Sequence, residues 1–221
     1  MFTRLQHSIP KRTTRRLVLA GALLLAGASW AAPADKFDKA FAVFQQAAAG
    51  QESAIQPSTE AFEALLKVEP TNPVLLAYVG AATSMKANTT WFPWKKMTYA
   101  EDGLAMLDKA LAMLTAVHNA PLQHEVPAVL EVKFVAASTF LAVPGFMNRS
   151  QRGASLLADV VSSALLATAP LAFRGDVWLA AAEQARKDQR LEVARQHLNQ
   201  IIKTNAPQAA IAQSRLGSLA S

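Results

Sequence analysis

Residues 58–70 read Ser58-Thr59-Glu60-Ala61-Phe62-Glu63-Ala64-Leu65-Leu66-Lys67-Val68-Glu69-Pro70, and five of them set a pattern. Ser58, Phe62, Leu65, Leu66 and Pro70 stand at offsets of 0, 4, 7, 8 and 12. Offsets of four and seven return to one face of an α-helix. The stretch is therefore an amphipathic helix with a small residue one turn ahead of its bulky stripe and a proline where it stops. The same offsets recover Gly103, Leu107, Ala110 and Leu111, with Thr115 in place of the proline. They recover Ala158, Ser162, Leu165, Leu166 and Pro170. They recover Ala194, Leu198, Ile201 and Ile202, with the proline slipped by one to Pro207. A small residue followed by bulky ones is what the second helix of a hairpin needs where it crosses its partner.

The partner helices carry a matching signal. Phe37, Ala40-Phe41 and Phe44 share a spacing with Leu76, Val79-Gly80 and Thr83, and with Trp178, Ala181-Ala182 and Ala185. The first of these helices stops at Gly50, and further helices are predicted at 58–68, 73–87, 95–115, 126–141, 151–167, 172–186, 191–203 and 208–219. Turn residues separate them: Pro70-Thr71-Asn72-Pro73, Asn119-Ala120-Pro121, Pro144-Gly145, Pro170 and Asn205-Ala206-Pro207. Alternating β-branched runs, the mark of half-buried strands, are missing. The expected fold is all-α.

With these residues on the page, the chain from about 35 to 219 resembles the tetratricopeptide repeat family. The resemblance implies antiparallel helix pairs stacked as a right-handed solenoid, here about four pairs, with the helix around Leu216-Gly217 as a C-terminal cap. Leu66, Leu111, Leu166 and Ile202 are 45, 55 and 36 residues apart, against about 34 in that family, so insertions are expected in the second and third hairpins. A single helical bundle with amphipathic helices of similar spacing is the competing reading.

The first 31 residues read as a cleavable signal peptide, with an uncleaved membrane anchor as the competing reading, and residues 32–221 as one domain. Arg4, Lys11, Arg12, Arg15 and Arg16 form a basic head, Leu17 to Gly27 is an apolar run, and Ser29 and Ala31 are the small residues a signal peptidase requires. Thr14-Arg15-Arg16-Leu17-Val18-Leu19 resembles a twin-arginine export signal, with Ala20 where a lysine often follows; the general secretory route is the other possibility. Either route implies a periplasmic protein cut after Ala31. The whole chain has 22 basic and 16 acidic residues. Five basic and no acidic residues fall within the signal, which leaves 17 against 16, a net charge of +1. That balance argues against a nucleic-acid partner, which would select a basic stripe. The chain has no cysteine, which excludes disulfides, thiolate metal sites and cysteine catalysis. After the signal no apolar run reaches membrane length, about 20 residues.

The most unusual stretch is Asn88-Thr89-Thr90-Trp91-Phe92-Pro93-Trp94-Lys95-Lys96-Met97-Thr98-Tyr99. Pro93 suits the first turn of a helix, with Thr90 as a candidate cap. Together with Ala77-Tyr78-Val79-Gly80, Gly103, Leu107-Asp108 and Ala110, it resembles a group of uncharacterised bacterial repeat proteins with an A-Y-x-G … W-x-P-W-x-K pattern. Pro144-Gly145-Phe146-Met147-Asn148-Arg149 resembles a turn in the same group. In one reading Trp91, Trp94 and Tyr99, flanked by Lys95 and Lys96, form an exposed partner-binding platform. In the other, which the residue types favour for each tryptophan taken singly, they pack against neighbouring hairpins and fill the gap left by the insertion.

No catalytic, cofactor or metal signature appears. His124-Glu125 opens like a zinc-protease helix, but Ala128 stands where the second histidine belongs and Pro127 interrupts the helix. His118 and His197 are isolated, and His7 falls in the signal. Glu101-Asp102 are adjacent on a predicted helix and diverge by about 100°, so they cannot face each other as acid and base; they read as helix-end solvation, and Arg186-Lys187-Asp188-Gln189-Arg190 as a solvated turn. The sequence thus points to a non-enzymatic scaffold that binds a protein or peptide of the cell envelope. A small-ligand or transport accessory role, with a pocket beside the Trp91–Tyr99 insertion, is the alternative.

Overall fold

The computed structural model describes residues 34–123 and 125–219. The predicted signal with Arg15, Arg16 and Ala31, as well as His7 and His124, lies outside them. Among the described residues are nine α-helices and no β-strand: α1 (Ala34–Ala48), α2 (Ile55–Val68), α3 (Pro73–Met85), α4 (Pro93–Ala112), α5 (Ala128–Ala142), α6 (Ser150–Ser162), α7 (Leu171–Lys187), α8 (Leu191–Lys203) and α9 (Ala209–Ser218). They pack in consecutive pairs, α1 with α2, α3 with α4, α5 with α6 and α7 with α8, and α9 lies on α8. Helix α3 also meets α2 and α5, α4 meets α5, and α6 meets α7.

Local chemistry explains the helix ends. Asn72 caps α3, its side-chain oxygen accepting from Val74 N at 2.9 Å and Leu75 N at 3.3 Å, with Pro73 in the first turn, where its missing N–H costs nothing. Helix α1 ends on Gly50 at φ 97°. Gly50 N bonds Ala47 O and Gln51 N bonds Gln46 O, both at 3.0 Å, which closes the last turn through a left-handed residue. Gln189 after α7 and Asn205 after α8 are also left-handed and end their helices with the same two bonds.

Three of the four predicted second-helix patterns face inward as expected. Ser58, Phe62 and Leu65 are buried in α2, Gly103, Leu107 and Ala110 in α4, and Ala194, Leu198 and Ile201 in α8. The third assignment is wrong in register. Ala158 and Ser162 are exposed, and α6 stops at Ser162 instead of continuing to 167. Ser163 caps a separate 3-10 turn, its hydroxyl accepting from Leu165 N. The residues that cross α5 are Gly153, Leu157, Val160 and Val161, which repeat the offsets 0, 4, 7 and 8 five positions earlier. A Cβ on Gly153 would stand 2.9 Å from Leu141 Cγ and 3.1 Å from the Ala137 carbonyl oxygen, so the two helices cross closely there. Lys133, paired with Asp159 at 3.0 Å, stands one turn before Ala137 where α3 has Leu76. That lysine interrupts the apolar stripe of α5.

The core forms successive clusters along the chain. Phe37, Phe62 and Tyr78 knit α1, α2 and α3, with Phe62 stacked on Tyr78 at 4.7 Å and Phe37 edge-on to Phe62 at 5.7 Å. Such ring pairs contribute about 0.5–1.5 kcal/mol each beyond their buried area. Leu130, Val160 and Val177 join α5, α6 and α7, and Ala182, Leu198 and Ala212 join α7, α8 and α9. Helix α3 is enclosed: every residue from Pro73 to Ser84 is buried, so it is apolar or small on all sides. None of the described helices is long and apolar enough to cross a membrane.

Candidate functional site

The first helices of the four pairs turn toward a common hollow of about 620 Å³. Phe41 and Phe44 enter it from α1, Tyr78 from α3, Phe134 from α5, and Phe173 and Leu179 from α7. The ring of Phe44 meets that of Tyr78 at 5.0 Å and 80°, and Phe134 meets Phe173 at 5.4 Å and 78°. Edge-to-face rings of this kind hold one another's orientation, so the walls are built in advance of any ligand. Asp176, Glu183 and Arg215 make the α7 and α9 side polar.

The polar groups around the hollow are engaged with one another. The Tyr78 hydroxyl donates to Glu131 Oε1 at 2.8 Å within the core. Burial first, and then the adjacent Glu131 carboxylate, hold the Tyr78 phenol protonated to well above its ordinary range. Gln208 Nε2 donates to Asp176 Oδ1 at 2.6 Å. Burial nevertheless pushes the Asp176 carboxyl up, because one neutral donor does not replace the lost hydration. Glu183 is held below its usual range by Arg186, whose guanidinium donates to it at 2.7 Å, with further help from Arg215. Among the described residues no group of three or more His, Cys, Asp or Glu side chains could hold a metal.

The sequence-predicted platform lies elsewhere. Helix α4 has 20 residues and α3 has 13, lengths of about 30 and 20 Å at 1.5 Å per residue. Full burial in α4 begins only at Ala100, and beside its start lies the 3-10 turn Lys86–Thr89 that follows α3. The packing expected of the tryptophans does not occur: Trp91 is 94% exposed and Trp94 64%. Phe92, half exposed, touches Trp94 at 4.9 Å between ring centres. Lys95 and Lys96 are exposed beside them, with Lys95 Nζ 5.3 Å above the Phe92 ring. Tyr99 is set apart from this group, half-buried beneath Lys86 Nζ at 5.1 Å. Thr90 is not the cap of α4. Phe92 occupies that position, and Thr90 Oγ1 accepts the Phe92 N–H at 3.4 Å.

Beside the insertion itself lies a smaller groove of about 380 Å³, lined by Met97 with Glu101, Phe146 and Arg149. The hollow takes Ala87, Asn88 and Ala100 from either side of the insertion and none of Trp91, Trp94, Lys95, Lys96 or Tyr99. Its aromatic lining was read in the sequence only as core stripe for Phe41 and Phe44, and not read at all for Phe134 and Phe173. His118 is also more than a loose loop residue, since its Nδ1 accepts the Thr115 N–H at 2.9 Å and closes a 3-10 turn. Glu101 and Asp102 are both exposed. Compared with family models, with curated proteins and with solved structures, the chain matches none of them.

Proposed function

We propose that this chain is a non-enzymatic, exported scaffold, a tetratricopeptide-like array whose hollow receives an apolar segment of another cell-envelope protein. The observation that carries the reading is that the first helices of all four pairs contribute to one aromatic-lined hollow. Contacts of α3 with α5, and of each second helix with the first helix of the next pair, support a stacked order of hairpins. Insertion of the long α4 start and of the irregular stretches between α4, α5 and α6 accounts for repeats longer than the family's. Export rests on the N-terminal signal: protein recovered from the periplasm is expected to begin at Ala32, and Arg15→Lys with Arg16→Lys to block export if the twin-arginine route is used.

The test places a bulky side chain on the wall. Ser138 lies on α5, lines the hollow and is exposed, so Ser138→Trp narrows it without opening the core. Peptides selected from a random display library on the wild-type chain are expected to share spaced apolar and aromatic residues and to lose binding to Ser138→Trp while its melting temperature holds. Equal binding to both chains would place the peptide site elsewhere and end the reading. A small amphiphilic ligand is the second reading, favoured by the polar side at Asp176, Glu183 and Arg215 and by a volume within the roughly 300–1,000 Å³ of small-molecule sites. Saturable binding of a fatty acid that displaces the selected peptides would favour it.

A further inference from the structure

The exposed start of α4 has no place in the hollow, and its chemistry is specific. Trp91 and Phe92, just ahead of α4, and Trp94 in its first turn are 94%, 50% and 64% exposed. Met97, exposed, continues the Trp94 face one turn on, and beside it stands Phe146 at 68% exposure. The flanking lysines favour an anionic partner for these rings, which anchor protein and lipid interfaces alike. The rings suit a deformable surface into which they can sink. The charge beside the rings is positive. From Lys86 to Tyr99 there are three lysines and no acidic residue, and the exposed Glu101 and Asp102 follow on the next turn. Lys95 holds its ammonium 5.3 Å above the Phe92 ring, so charge and ring stand together at the tip.

We propose that this tip is a peripheral membrane-docking site that sets Trp91, Phe92 and Trp94 into the interface of a bilayer rich in anionic phospholipid. Indole and phenyl rings partition to the boundary between headgroups and acyl chains, where an amphipathic ring is favoured at both ends. Lys95 and Lys96 supply the attraction to the negative surface, and the short reach of that attraction requires them to stand beside the rings, as they do. This inference is independent of what the hollow holds. Docking through the start of α4 uses none of the residues that line it.

The experiment reads the tip itself. The chain has four tryptophans; replacing Trp30 and Trp178 by Phe in the full chain leaves Trp91 and Trp94 as the only indole reporters. Vesicles of phosphatidylethanolamine and phosphatidylglycerol, with bromine on the phosphatidylglycerol acyl chains, are expected to blue-shift and quench this emission, and pure phosphatidylcholine vesicles to leave it unchanged. Lys95→Gln with Lys96→Gln is expected to weaken the response about thirtyfold, which is the loss of two lysines at about 1 kcal/mol each. Sedimentation of the chain with vesicles while the indoles stay unquenched would overturn the proposal, because the N-terminal segment and not the tip would then bind. So would equal quenching on neutral and anionic vesicles. A blue shift that grows with protein concentration in the absence of lipid would overturn it in favour of a second copy of the chain as the occupant.

Discussion

Adding one methyl group at Gly103 tests the packing on which the second hairpin depends. A Cβ built there would press on the Gly80 carbonyl oxygen and lie 2.6 Å from Ser84 N and 2.8 Å from Ser84 Cβ. Ordinary carbon contacts are about 3.5–4.0 Å, so α3 and α4 would have to part by about 1 Å. Two of the three obstructing atoms are backbone and cannot rotate aside. Separation would also loosen Leu104 and Leu107, both fully buried on the same face. Overpacking of this kind costs about 1–3 kcal/mol, and backbone obstruction puts this site at or above the upper end. Alanine's better helix propensity returns about 1 kcal/mol. The expected net loss for Gly103→Ala is about 2 kcal/mol, a melting temperature lower by roughly 4–8 °C at this chain size. Gly217→Ala is the control: that glycine lies near the end of α9 and a Cβ there meets nothing within 4 Å. It is expected to raise stability by about 0.5 kcal/mol. Urea titration and thermal scans followed by circular dichroism at the helix band measure both variants. A Gly103→Ala chain as stable as the wild type would refute the close crossing of α3 and α4.

Trp91→Ala combined with Trp94→Ala is expected to leave the unfolding midpoint within about 0.5 kcal/mol per site, because neither ring is covered; a broad, weakened transition would show that they brace the fold. Tyr78→Phe removes the hydroxyl that Glu131 accepts in the core and is expected to cost about 1.5–3 kcal/mol in urea titration, the range for hydrogen bonds to charged groups. Burial first, and then the positive Arg190, hold the His197 imidazole below its ordinary range. Its neutral form therefore contributes stability that is fully present above the usual histidine pKa and is lost as pH falls through the lower folded value. His197→Gln should flatten the loss of stability below about pH 6.5, and proton NMR of the ring should show it titrating below that range; a ring that titrates normally would remove the effect.

Helix identity was legible in the residues because it is set over one or two turns. Apolar spacing of four and seven, Asn72 ahead of Pro73, and Gly50 after Ala48 each act within about four residues, and the helices begin and end close to where these signals stand. The small residue of a hairpin crossing was legible at Gly103 and Ala194 but not in α6, where Ala158 and Gly153 are both small and only the position of α5 selects Gly153. The exposure of Trp91 and Trp94 follows from where the connection between α3 and α4 carries the start of α4, a relation between elements that no local pattern expresses. The hollow is more distant still from the sequence. Phe44, Tyr78, Phe134 and Phe173 belong to four helices and meet only because the hairpins pack side by side. Backbone hydrogen bonding within a helix spans four residues and can be read along the chain, whereas whether a side chain is covered depends on atoms that folding brings from far away.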